Sequence, residues 1–142
     1  MKKIILSMVM AVAAVGAVNA QNVKSAMVPA AAKAALLKKY PMAGKATWEK
    51  EKANYEANWG GKSGEDMSVQ FTPAGEFVEE VVAINPSQLP QGVASYIKQN
   101  YKVSKIKEAG KVTDASGLVT YEAEVKGKDL VFDTKGNFLK KD

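Results

Sequence analysis

Two kinds of apolar spacing alternate along the chain. Residues 30–40 carry Ala32, Ala35, Leu36 and Tyr40 at helical intervals, and residues 93–101 do the same with Val93, Ile97 and Tyr101. Pro29 and Pro90 precede these runs and suit a first helical turn, where a missing N–H costs nothing, and Pro41 stops the first helix. After each helical run the apolar period changes to two. That alternation predicts strands near 46–52, 54–60, 67–72 and 76–84, then near 104–113, 118–126, 129–133 and 137–141.

The two halves correspond at an offset of 61 residues. Val28-Pro29 falls on Leu89-Pro90, Leu36 on Ile97, Tyr40 on Tyr101, and the stretch from Phe71 to Phe77 on that from Phe132 to Phe138. Tyr55-Glu56-Ala57 meets Tyr121-Glu122-Ala123 only at an offset of 66, so five residues inserted in one hairpin are balanced by five in another. Loops absorb such changes and strands do not. The chain therefore reads as a tandem duplication of a helix followed by a four-strand antiparallel meander, an α+β fold with two helices on one face of a mostly antiparallel sheet. The first repeat spans 28–84, a linker 85–88, and the second repeat 89–142. Because a half of about 55 residues without disulfides buries too little apolar surface to stand comfortably alone, the repeats are expected to share one core.

Alternation sorts the strand residues into two faces. Tyr55, Ala57 and Trp59, Met67, Val69 and Phe71, then Tyr121, Ala123, Val125, Leu130 and Phe132 form rows that should pack against the helices. Asn54, Glu56, Asn58, Ser68, Gln70, Thr72, Thr120, Glu122, Glu124 and Lys126 form the opposite rows, expected to be wet. Trp48 and Trp59 each read as core filler or as an interface anchor near a strand end. The turns Pro73-Ala74-Gly75 and Thr134-Lys135-Gly136 place glycine where a short hairpin needs a positive φ. Asp133 and Asn137 read as turn geometry, because the spacing lacks the repeated acidic ligands of a calcium loop.

Residues 1–20, MKKIILSMVMAVAAVGAVNA, read as a secretory signal peptide: Lys2 and Lys3, an uncharged apolar run, and a small residue at Ala20. Cleavage there makes residues 21–27 the mature amino-terminal segment and places the protein in the periplasm or outside the cell. With no cysteine to carry a lipid, no membrane attachment is expected after cleavage.

Composition narrows the chemistry. The chain has 142 residues, 46% hydrophobic and 25% charged, with neither cysteine nor histidine, and all 20 basic residues are lysine. Thiolate nucleophiles, Ser-His-Asp triads, Cys or His zinc sites and arginine clamps all need residues that are missing. Removing Lys2 and Lys3 leaves 18 lysines against 15 acids, a net charge of +3. The lysines alternate with acids, as in Trp48-Glu49-Lys50-Glu51-Lys52, which argues for solvated strands and against nucleic acid as a partner. No cofactor or metal is implied, and a monomer is expected.

Val-Pro and Leu-Pro helix starts, Tyr-Glu-Ala strands and paired Phe-x-x-x-Gly-x-Phe hairpins together resemble the PepSY-like family of β-lactamase-inhibitor-like exported proteins, over about Val28 to Asp142. The resemblance implies one curved sheet whose open face and hairpin loops cover a partner. The leading expectation is a non-enzymatic exported binding module, inhibitor-like toward a protein or peptidase, holding a protein or peptide partner in the cell envelope. The alternatives are a small-ligand carrier with a pocket between helices and sheet, favoured by the alanines of 30–35, and a carboxylate-based hydrolase using Glu79-Glu80 or Glu65-Asp66. Adjacent strand residues point to opposite faces, which weighs against the Glu79-Glu80 pair. The candidate partner-binding residues are Trp59, Lys62, Glu65 and Asp66, since the stretch from Gly60 to Asp66 is longer than the equivalent Gly127-Lys128 turn requires.

Overall fold

A computed structural model describes residues 21–103 and 105–141. The expected signal peptide, 1–20, lies outside the described residues. The fold is α+β, and the chain divides between Glu80 and Val81 into two compact units, each built from a helix and an antiparallel meander.

In the first unit a short strand β1 (Gln21–Val23) precedes helix α1 (Ala30–Lys39), and then come β2 (Thr47–Glu51), β3 (Asn54–Trp59), β4 (Met67–Phe71) and the start of β5 (Phe77–Ile84). Strand β1 pairs with β2, β2 with β3 and β3 with β4, all antiparallel. Strand β1 was not predicted from the sequence. Its three residues are too few for a periodicity to register, and its pairing of Val23 with Trp48 depends on a strand 25 residues further on. Pro29 sits at the N-cap of α1, with its carbonyl accepting from Lys33 N at 3.2 Å, just ahead of the first turn that it was expected to suit. Tyr40 closes the helix by donating N–H to Leu36 O at 2.7 Å, and Pro41 opens a separate 3₁₀ turn, Pro41–Ala43.

The second unit repeats the plan with α2 (Val93–Tyr101), β6 (Glu108–Asp114), β7 (Val119–Val125), β8 (Lys128–Phe132) and β9 (Phe138–Lys141), paired in chain order. Pro90 lies outside α2, contrary to expectation. The helix is entered through Gly92 at φ 101°, a left-handed conformation that a proline-led first turn would not need. Strand β6 starts at Glu108, four residues later than the alternation from 104 suggested.

Each unit has its own cluster of buried apolar residues. The first joins Val28, Ala32 and Leu36 to Trp48, Ala57, Val69 and Phe71, with Tyr40, Tyr55, Trp59 and Phe77 partly buried against it. The second joins Val93 and Ile97 to Ala123, Val125, Leu130 and Phe132, with Tyr96, Tyr101 and Phe138 at its margin. These are the rows that alternation assigned to the helix-facing side, except that Met67 and Tyr121 are half-buried and belong to neither cluster. In the second cluster Tyr96 stacks on Phe138 with centroids 4.8 Å apart and meets Phe132 edge-on at 5.5 Å, arrangements favoured by the ring quadrupoles.

The Phe-x-x-x-Gly-x-Phe hairpins are superimposable in their bonding. Thr72 N donates to Glu76 O and Gly75 N to Thr72 O, both at 2.9 Å, while Asp133 N donates to Asn137 O at 2.9 Å and Gly136 N to Asp133 O at 3.0 Å. Gly75 and Gly136 both have φ of 84°. Asp133 is a turn residue: its Oδ1 accepts from Lys135 N and Asn137 N, and its Oδ2 from Asn137 Nδ2. Those bonds, that from the Asn137 side chain first, hold the carboxyl below the usual aspartate range.

Candidate functional site

The hairpin lengths differ between the repeats as the sequence offset requires. Strands β3 and β4 are joined by residues 60–66, whereas β7 and β8 are joined by Lys126 and Gly127 alone. The last ladder pair before the long loop is Trp59 with Met67, and Asp66 N donates to Gly60 O at 3.4 Å just beyond it. Gly60, Gly61 and Gly64 all have positive φ. At Gly61 a β carbon would fall 2.2 Å from the Asp66 carboxylate, so the loop folds back over its own glycine.

Trp48 and Trp59, which the sequence left undecided, take different roles. Trp48 is core, 5% exposed. Trp59 is half-buried, its ring 5.1 Å from that of Tyr40 and tilted by 54°, so one side belongs to the core margin. Its other surroundings form a cavity of about 330 Å³ lined by Met42, Lys45, Ala46, Thr47, Asn58, Trp59, Gly60 and Gly64. Of the four expected partner-binding residues, only Trp59 lines this cavity. Lys62 and Asp66 are exposed on the loop and Glu65 is half-buried, none of them at the cavity wall. The cavity lies beside the 42–47 segment, not between helix and sheet where the carrier alternative put a pocket.

Sequence reasoning missed Met42, Lys45, Ala46 and Thr47. The available signal was Met42, a large apolar residue just after a helix-stopping proline, which the structure leaves 87% exposed. What brings it to Trp59 is the return of the chain through β2 onto β3, with Thr47 opposite Asn58 in register and its hydroxyl donating to Asn58 O at 3.4 Å.

The polar rows differ from expectation. In the 142-residue chain Glu56, Asn58, Gln70, Thr120 and Glu122 are buried, as are Glu49 and Glu51 on β2. In the first unit these groups shelter one another. Gln70 Nε2 donates to Glu51 Oε2 at 3.0 Å and to Glu56 Oε2 at 3.3 Å, and Glu49 stands opposite Glu56 in register. Burial and the neighbouring Glu51 charge push the Glu56 carboxyl up to about 7, against hydrogen bonds from Ser68, Asn58 and Gln70 that favour its ionised form. Alternation reports which face a residue takes, and burial depends on neighbours that alternation does not see.

The Glu79-Glu80 pair of the hydrolase alternative lies on β5. Glu80 accepts a hydrogen bond from the Tyr40 hydroxyl, tying β5 to the end of α1, and Glu79 is buried. Beside this link Lys39 Nζ stands 3.6 Å from the centre of the Phe77 ring, a cation–π contact. Burial of Tyr40 and, secondarily, the bond and charge of Glu80 raise the phenol's ionisation above the ordinary tyrosine range.

Comparison with known proteins agrees with this architecture. The profile of the family described as "Putative beta-lactamase-inhibitor-like, PepSY-like" matches twice, over residues 17–79 and 61–140. Among solved structures, a "putative periplasmic" protein from Bacteroides eggerthii DSM 20697 is 23% identical, with 81% of this chain and 88% of that one covered at a TM-score of 0.65. A DUF2874 family protein from Bacteroides uniformis ATCC 8492 is 20% identical over 80% and 88% of the two chains, TM-score 0.64. A BLIP-like protein from Bacteroides fragilis NCTC 9343 is 21% identical over 79% and 83%, TM-score 0.55. At these identities the likeness is one of fold. No curated protein matches the chain. Among the described residues no helix is long and apolar enough to cross a membrane.

Proposed function

The chain belongs to the PepSY-like, β-lactamase-inhibitor-like family, and from that premise we propose that it is an exported, non-enzymatic binding module that holds a protein or peptide partner in the periplasm or outside the cell. The observation that carries this reading is the seven-residue loop 60–66, set against the two-residue turn at the same place in the second repeat, with Trp59 half-buried at its base. The second unit shows that the meander closes without the extra length, so the loop is available for recognition. Trp59 supplies the rigid apolar anchor that interface hot spots contain, and Lys62, Glu65 and Asp66 supply charged groups on the loop beyond it. An inhibitor-like action on a hydrolase is the form of binding that the family points to.

The test is recovery of proteins from the envelope of the producing cell on the immobilised protein, run beside a variant whose residues 61–65 are deleted. A partner enriched by the wild type and lost with the shortened loop supports the reading. Equal recovery by both removes the loop from the site, and turnover of a substrate by the purified protein overturns the non-enzymatic assignment.

A further inference from the structure

The cavity at Trp59 has a chemistry of its own. Its volume, about 330 Å³, is at the lower end of ligand pockets, which fits one residue better than a whole folded epitope. Trp59, Met42 and Ala46 give it apolar walls, and the Trp59 ring is braced from behind by Tyr40, so it is held in place before anything binds. Met42 is 87% exposed, an unbranched thioether side chain able to adapt to the shape that enters. At Gly64 a β carbon would meet no heavy atom within 4 Å, so the rim is open on the loop side. Lys45, exposed, is the one charged residue among those lining the cavity. An apolar recess with a single cation matches a ligand that joins a large apolar group to one negative charge.

We infer that this cavity binds the C-terminal residue of a peptide, its large apolar side chain against Trp59 and Met42 and its α-carboxylate paired with Lys45. In a C-terminal residue the two groups share one carbon, which lets a cavity this small take both. Thr47 adds a polar margin suited to the adjoining peptide group, which a fatty acid lacks. The inference rests on the peptide-binding reading above and specifies which end of the partner enters.

The probe is acetyl-Gly-Gly-Phe as the free acid, titrated to millimolar concentration against its C-terminal amide. The readouts are the Trp59 indole N–H, assigned with Trp59→Phe, and the Met42 methyl signal in NMR spectra of the purified protein. Saturable shifts of both signals are expected with the acid, and at least fivefold weaker binding of the amide. Lys45→Gln should reduce the acid to the affinity of the amide and leave the amide unchanged, while Lys128→Gln, at an exposed lysine of the second unit, should alter neither. The inference is overturned by the absence of saturable shifts, by equal affinity of acid and amide, or by octanoate binding more tightly than the peptide. Loop-dependent capture of an envelope protein without peptide binding would remove this inference and leave the binding-module reading standing.

Discussion

Gly75 is packed against Ala31 so closely that a β carbon on it would stand 2.6 Å from the Ala31 carbonyl oxygen. The second repeat reproduces the relationship, where a β carbon on Gly136 would stand 2.3 Å from Gln91 O. In each unit the glycine of the hairpin thus bears on backbone near the start of the helix. Space and dihedral angle make the same demand, since both glycines have φ of 84°.

Gly75→Ala and Gly136→Ala are therefore each expected to destabilise the protein by about 2 kcal/mol or more, combining left-handed strain with a backbone clash that no rotamer relieves. Gly117→Ala has the same sign of φ and open space around it, so its loss should be smaller. Urea unfolding of the three variants checks the order.

Glu56 makes stability depend on pH in an unusual direction. Its carboxyl is raised from 4.5 to about 7 in the folded chain, so between those values the unfolded state releases a proton that the folded state keeps. Stability from this group is present below pH 4.5 and is lost as pH rises through about 7, by about 3 kcal/mol at most. Glu56→Gln should remove that fall, so the wild-type minus variant difference in unfolding free energy becomes more negative from pH 5 to pH 8. Glu51→Gln, which deletes the neighbouring charge, should shift the remaining transition to lower pH.

Deleting residues 61–65 leaves Gly60 and Asp66 as a two-residue connection between the paired Trp59 and Met67. Glycine in the first position suits a tight hairpin turn, and the stability change is expected to be below about 1 kcal/mol. A larger loss in thermal unfolding would show that the loop supports the fold.

The hydroxyl of Tyr40 ties the end of α1 to Glu80 on β5. Tyr40→Phe keeps the ring against Trp59 and should cost about 1 kcal/mol, the worth of the lost hydrogen bond. An ultraviolet titration of the wild type should show one tyrosine ionising later than an ordinary phenol, and Glu80→Gln should bring it earlier.

Much of this protein is determined by short-range regularities, and those are legible in the sequence. Helical spacing at Ala32, Leu36 and Tyr40, period-two spacing from Tyr55 to Trp59, and the glycine hairpins place the elements to within a few residues, because each reflects bonding between near neighbours. The duplication strengthens the reading, since Phe71 to Phe77 and Phe132 to Phe138 report the same turn twice. Only the tertiary structure decided the rest. It buried Trp48 and left Trp59 half-buried, although both sit near strand ends, because Tyr40 covers only one side of the Trp59 ring. It brought Met42 and Lys45 to Trp59 through the register of β2 on β3, and drew Glu51, Glu56 and Gln70 into one buried hydrogen-bonded group. Contacts across strands depend on register and on what lies above each face. A one-dimensional pattern records the side on which a residue lies and omits its neighbours there.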